Sequence, residues 1–535
     1  VGGVDYINDS YLCALILKDM VSEFFRPAAK KRSRRGIRMT RVNMKELTMS
    51  NTDKQQAVEP EAKPAFNTGQ LVRSLICVGV GLVIFLIPPP QGLTGQAMHM
   101  LGVFVGTILG LILQPLPTSS VAIIGMTVGM LTGALDVKKA AFAGLGSPSI
   151  WLIVAAFFIA QGFVSTGLGR RIALIFLSML GKSSLGISYG LAAADLVLAP
   201  ATPSNTARLG GILFPIITSV SDVQDSTPKS DESRRKIGAF LALTANNVNA
   251  ITSAMFATAM AAGPVVFQLA QKAGVSINWG MWALACIVPG LVCLIAIPAL
   301  IYKLFPPTIK HVPQAQADAK AELKEMGPLS MHEWIMLVTF IVMLVLWATG
   351  SIFHVEATTV AFLGVAVLLC TKIITWNDMV SNKSAWSTLI FFGVLVGMAQ
   401  PLNDLGVTGW AGKLIANLVH GMPWMLVLAI LTVFYFIIHY MFASELAQVA
   451  AIYTLFLGVA VAAGVPATAA ALMLGVASGL IGAMTHYASG PAALIYGAGY
   501  VKTSEFLRIG LICGLVTVVV FLTIGMGWWK VIGIW

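Results

Sequence analysis

The chain has 535 residues, of which 57% are hydrophobic and 11% charged, and its formal net charge is +11. A soluble domain is roughly 45–50% apolar and about 25% charged, so this composition excludes a water-soluble globular enzyme. The mean hydropathy of +0.83 points instead to a chain dissolved in lipid. The basic excess does not indicate nucleic acid. It sits in an N-terminal tail and in short loops, where the positive-inside rule puts it.

Windows at 71–87, 150–168, 280–301, 335–350, 388–402 and 507–527 are long and apolar enough, or nearly so, for a bilayer-spanning helix. Their apolar runs are continuous rather than alternating, which argues against a β-barrel. The expected fold is an all-α polytopic membrane protein with about 11 transmembrane helices. Six cysteines are scattered singly, without a CxxC pair, so neither a disulfide framework nor a structural zinc site is supported.

In chain order, residues 1–69 read as a disordered cytoplasmic extension or as upstream translated sequence. They contain the run Lys30-Lys31-Arg32-Ser33-Arg34-Arg35, and Met39, Met44 and Met49 are all plausible starts. Residues 70–305 form a first repeat. Four spans lead to a short amphipathic piece at 171–180. Two apolar arms follow at about 184–220, around a polar tip at 201–206. Each arm is too short to span comfortably, so this is a re-entrant hairpin. A helix over about 237–272 then breaks at Ala261-Ala262-Gly263-Pro264. Residues 306–330 are a charged cytoplasmic linker. Residues 331–535 repeat the plan, with a hairpin over about 424–464, tipped by Ala443, Ser444 and Glu445, and a broken helix over about 467–501. The basic tail sets the N-terminus in the cytoplasm and the C-terminus outside, so the two hairpins enter from opposite faces.

An internal match supports the repeat. Thr258 precedes Ala-Ala-Gly-Pro at the same spacing by which Thr485 precedes Ala-Ser-Gly-Pro, about 227 residues later, and the hairpin tips are about 240 apart.

Lipid tolerates such breaks only where the freed backbone lines a protein cavity. The breaks also supply what an anion needs. Helix N-termini offer unpaired N–H groups and a favourable dipole without a buried cation. Ser204, Asn205 and Thr206 are N-cap types at the start of one arm, and Ser444 plays that part in the second hairpin. Pro264 and Pro491 suit the first turn of resumed half-helices, and Gly263 and Gly490 permit unusual backbone before them. Four half-helix starts converging at mid-membrane suit a carboxylate at each end of a small molecule. The candidate substrate-binding set is Ser204, Asn205, Thr206, Thr258, Ser444, Thr485, His486, Ser489, Gly490 and Pro491. Unwound carbonyls near Asn205 and Gly263 offer a place for a cation.

The run Pro203-Ser204-Asn205-Thr206-Ala207-Arg208 resembles the Ser-Asn-Thr motif of the divalent anion:sodium symporter family. The runs His439-Tyr440-Met441-Phe442-Ala443-Ser444 and Thr485-His486-Tyr487-Ala488-Ser489-Gly490-Pro491-Ala492 resemble its branch of 2-oxoglutarate/malate translocators and citrate– or tartrate–succinate exchangers. The likeness covers about 70–529. It implies an elevator-type homodimer that carries di- or tricarboxylates gripped by the two hairpin tips. Two features depart from the pattern. The second tip reads Ser444-Glu445-Leu446, and Pro200 stands where sodium-coupled members carry a hydroxyl residue. These departures favour exchange of one dicarboxylate for another. A sodium- or proton-coupled symporter is the alternative.

Single residues carry their own expectations. Asp195 and Arg208 lie at matched depth on opposite arms, which suggests an ion pair; a direct contact from Arg208 to substrate is the other reading. His486 is either a substrate contact or structural. Glu445 faces away from substrate, carries a proton or holds a cation, and is a candidate coupling group. His99, His439 and Asp404 read as structural. No HExxH, GxSxG or GxxxxGK[ST] motif appears, which argues against an enzyme or a primary pump. No cofactor is expected beyond a coupling Na+ or H+. The expected location is the cell's inner (plasma) membrane, with the plastid inner envelope as the alternative.

Overall fold

The computed structural model describes residues 68–202, 204–407, 409–410, 421–442 and 444–535. Almost all of the tail expected over 1–69, and the tip residues Pro203 and Ala443, lie outside the described residues. The described chain is helical throughout, apart from turns and a single isolated bridge between Ser183 and His311.

Nine described helices are long and apolar enough to cross a bilayer. Two of them, Trp424–Met441 and Glu445–Ala462, are the arms of the second hairpin. The other seven combine with the shorter helices Thr118–Leu131 and Ala357–Cys370 and with two broken helices, giving eleven crossings among the described residues. Helix Thr68–Leu86 shows what surrounds the molecule. Leu75, Val78, Leu82 and Leu86 are all more than half exposed, a display suited to lipid rather than water.

The first hairpin consists of Ser184–Leu198, a 3-10 turn at Ala199–Ala201, and a return arm that starts at Asn205 and ends at Val223. The second runs from Trp424 through a 3-10 turn at Ile438–Met441 into Glu445–Ala462. Its arms pack antiparallel, with His439 Nδ1 2.7 Å from Gln448 Oε1 and Tyr435 ring-to-ring with Phe456. These arms are longer than expected of a re-entrant segment. The segment is a hairpin because its tip turns back on meeting the first tip, not because its arms fall short.

The long helix Trp279–Leu304 serves as a ruler. Its 26 residues span about 39 Å at 1.5 Å each. Just beyond its C-terminal end, Ser184 N donates to Lys310 O at 3.0 Å and Val312 N to Lys182 O at 2.9 Å, so the base of the first hairpin lies there. Near its other end, Trp528 Nε1 donates to Leu284 O and Trp529 Nε1 to Ala285 O, both at 2.8 Å. The Trp535 ring at the end of that segment packs 5.1 Å from Trp424, the base of the second hairpin. The two hairpins therefore enter from opposite faces and meet in the middle.

Both broken helices lie inside this frame. Gly238–Met255 gives way to the irregular stretch 256–261 and resumes as Ala262–Lys272; Ala467–Leu480 breaks over 481–489 and resumes as Gly490–Gly497. Every residue of Gly238–Met255 is buried, including Thr244, Asn246, Asn247, Asn249, Thr252 and Ser253. So polar a helix has its partners inside the protein.

Ion pairs gather on the face that holds the first hairpin's base. Arg234 donates to both carboxylate oxygens of Glu505, at 2.7 and 2.8 Å, and Lys502 pairs with Asp231. The bonds from Lys502 and then Arg234 hold the Asp231 carboxyl below its usual range. The linker contains a helix, Pro313–Met326, tied down by Arg170–Glu322 at 2.6 Å. Arg171 pairs with Glu333, also at 2.6 Å, and caps the carbonyls of Met326 and Gly327.

Candidate functional site

The site begins with the caps. Ser204 accepts from Ala207 N at 3.1 Å, opening the return arm of the first hairpin. Ser444 accepts from Leu446 N at 3.2 Å at the start of the second hairpin's return arm. Ser489 accepts from Ala492 N and donates to Gly482 O at 2.7 Å, bridging the second break. Each of these hydroxyls directs a short helix start towards the same region.

The two tips touch. Asn205 Nδ2 donates to Glu445 Oε1 at 3.0 Å, while Asn205 Oδ1 accepts from the Thr206 N–H. Glu445 N donates to Ala488 O at 2.8 Å, which ties the second tip to the second break. The side chain of Thr206 lies against Gly490, where an added Cβ would come within 2.0 Å of Thr206 Oγ1. Gly263 is just as tightly set, with Ala257 O 1.9 Å from where its Cβ would be. Neither glycine has a positive φ. Both are needed for close approach of chain to chain, not for the unusual backbone that the sequence suggested.

Asp195 and Arg208 form a fully buried pair at 2.7 Å. The remaining guanidinium donors reach Thr202 O at 2.8 Å, Ala259 O at 2.9 Å, Ser253 Oγ at 2.9 Å and Thr252 Oγ1 at 3.3 Å. With Asp195 as the fifth acceptor, all five Arg208 N–H groups are in use. Asp195 also accepts from Asn249 and Thr252. Thr258 Oγ1 donates to Pro200 O at 2.6 Å and accepts from Trp279 Nε1 at 2.9 Å, which fixes the first break against the first tip. The carbonyls at this tip and break, where a cation site was expected near Asn205 and Gly263, thus already accept from Arg208 and Thr258.

The second break is less saturated. Among the described residues, Thr485 Oγ1 and His486 Nδ1 are buried without a hydrogen-bond partner, and so is Glu445 Oε2. The His486 ring lies 4.3 Å from that of Tyr496. Pro491 occupies the first turn of the resumed helix. The structure thus draws Asn205, Thr206, Glu445, Ser489 and Gly490 into one contact region. Asp195, Arg208 and Thr258 form a scaffold beneath the first tip.

Sequence reasoning missed Asn249, Thr252 and Ser253, the residues that receive the Asp195–Arg208 pair. A signal was present: six amide or hydroxyl side chains between Thr244 and Ser253 are too many for a span that faces lipid.

Opposed hairpins meeting between two broken helices define a secondary membrane transporter. The comparisons agree. The family described as sodium:sulfate symporter transmembrane region matches residues 68–535, and the chain belongs to that family of carriers; it is not an enzyme. Its relatives include YflS of Bacillus subtilis (strain 168), a malate transporter by name. That protein is 48% identical over 467 residues, covering 87% of this chain and 97% of the relative. Dicarboxylate transporter 2, chloroplastic, of Spinacia oleracea is 42% identical, covering 88% and 84%. The L-tartrate/succinate antiporter of Shigella boydii serotype 4 is 36% identical, covering 86% and 98%. Among solved structures, the Alcanivorax borkumensis YdaH transporter aligns with a TM-score of 0.51 at 14% identity. It covers 87% of this chain and 99% of that one, a likeness of fold alone.

Proposed function

We propose that this protein carries C4–C6 di- or tricarboxylates across the membrane by exchanging one for another. The observation that carries this reading is the meeting of Asn205, Ser489 and the Gly490–Pro491 helix start around the contact between the tips. Neutral donors and helix N-termini from both halves converge there, and a carboxylate is the group such ends recognise. The names of the relatives, malate, dicarboxylate and tartrate/succinate, point to the same chemistry. Ser204, Thr206, Ser444, Thr485 and His486 complete the binding set, and Thr258 holds the tip in place.

Exchange is favoured over sodium coupling by Arg208. Its guanidinium occupies Thr202 O and Ala259 O, carbonyls that a coupling cation would otherwise use. Bonds that join the hairpins to the broken helices, Arg208 to Ala259 O and Glu445 N to Ala488 O among them, suit an elevator-like movement of that unit in a homodimer. Basic residues such as Lys182, Arg235, Lys236 and Lys310 cluster on the face of the first hairpin's base, which supports reading that face as cytoplasmic.

The test is counterflow. Proteoliposomes preloaded with malate or succinate, without sodium or a proton gradient, should take up labelled dicarboxylate. Dependence on external sodium would overturn exchange in favour of symport. Asn205→Ala should reduce uptake about tenfold or more, the loss of one hydrogen bond to a charged group, at unchanged expression. Normal uptake would remove the first tip from the site.

A further inference from the structure

Glu445 is the one carboxylate at the contact between the tips, and exchange of dicarboxylates gives it no role. It is 5% exposed. Oε1 takes the Asn205 amide N–H, and Oε2 has no partner. Gly482 leaves the room for that oxygen, since a Cβ there would lie 2.7 Å from it. Among the described residues no cation is paired with Glu445. Arg208 on the first hairpin is committed to Asp195. Lys272, at the end of the half-helix packed along this arm, donates to Val396 O. The other titratable groups nearby are His439 and Tyr440 on the preceding arm and His486 and Tyr487 on the second break. The histidines are each short of a partner at one ring nitrogen. Intramembrane carboxylates without a cation lie along ion or proton paths.

An incoming dicarboxylate needs the same Asn205 donor that Glu445 occupies, and two carboxylates facing one amide repel. A proton on Glu445 resolves this: Oε1 releases the amide, and the carboxyl O–H becomes a donor towards the substrate. Resting on the dicarboxylate reading above, we propose that Glu445 takes a proton from water as a dicarboxylate enters between the tips. It returns that proton to water on the side where the substrate leaves. Each dianion then travels with one proton, in both directions of exchange.

Calorimetric titration of the full chain with malate and with succinate tests this, using two buffers of different ionisation enthalpy at pH 7 and at pH 8. Uptake of about one proton per molecule bound is expected, with affinity falling by up to tenfold per pH unit as the pH rises. In E445Q the proton uptake should vanish and the affinity should no longer change between the two pH values, while H439N, at a residue outside the binding set, should keep the uptake. Binding without proton uptake in the native chain overturns the proposal whether or not E445Q folds. So does uptake that survives in E445Q, or that is lost in H439N. If neither acid binds at all, the substrate reading itself falls, and this proposal with it.

Discussion

Arg208 shows how a charge is kept inside a membrane protein. The guanidinium meets five acceptors from three segments: Asp195 on the outgoing arm, Thr202 at the tip, and Ala259, Ser253 and Thr252 on the first broken helix. Its charge positions the tip rather than facing the gap between the hairpins. Arg208→Met would leave Asp195 as a buried, unpaired carboxylate, at a cost of about 3–5 kcal/mol. A marked drop in the unfolding temperature in detergent is expected, and Arg208→Met combined with Asp195→Leu should recover much of it. An unchanged melting temperature in the single variant would show that the pair does not brace the hairpin.

At the scale of elements, the two breaks are held by different kinds of contact. At Gly490 an added Cβ meets Thr206 Oγ1, a side-chain atom that can be removed; at Gly263 it meets Ala257 O, which belongs to the backbone. Gly490→Ala should therefore weaken transport and cost about 1–3 kcal/mol of stability. Adding Thr206→Ala should restore much of the stability. Gly263→Ala has no such side-chain rescue. Equal behaviour of the Gly490→Ala single and double variants in thermal unfolding would count against the close packing of tip and break. The breaks themselves were legible in the sequence, because Ser, Gly and Pro inside apolar runs interrupt helices for local reasons. The repeat was legible through Thr258 and Thr485. The bond from Asn205 to Glu445 was not, because it joins residues 240 positions apart and depends on both hairpins being folded. The reading of Gly263 and Gly490 as permissive backbone failed for a similar reason, since a close approach needs a neighbour that local sequence does not name.

On the scale of the whole molecule, the first hairpin, its following loop and both broken helices are tied across the repeats. Asn205 meets Glu445, Thr206 meets Gly490, Ala254 packs on Gly479, and Arg234 grips Glu505. The span Thr68–Leu86, only 11% buried, shows far more of its surface to lipid. The eleven crossings have a further consequence: an odd number leaves the two ends of the described chain in different compartments. A fluorescent protein that matures only in the cytosol and a phosphatase active only outside it, each joined in turn before Thr68 and after Trp535, should give complementary signals. Matching signals at both ends would mean that one of the eleven segments does not traverse the bilayer.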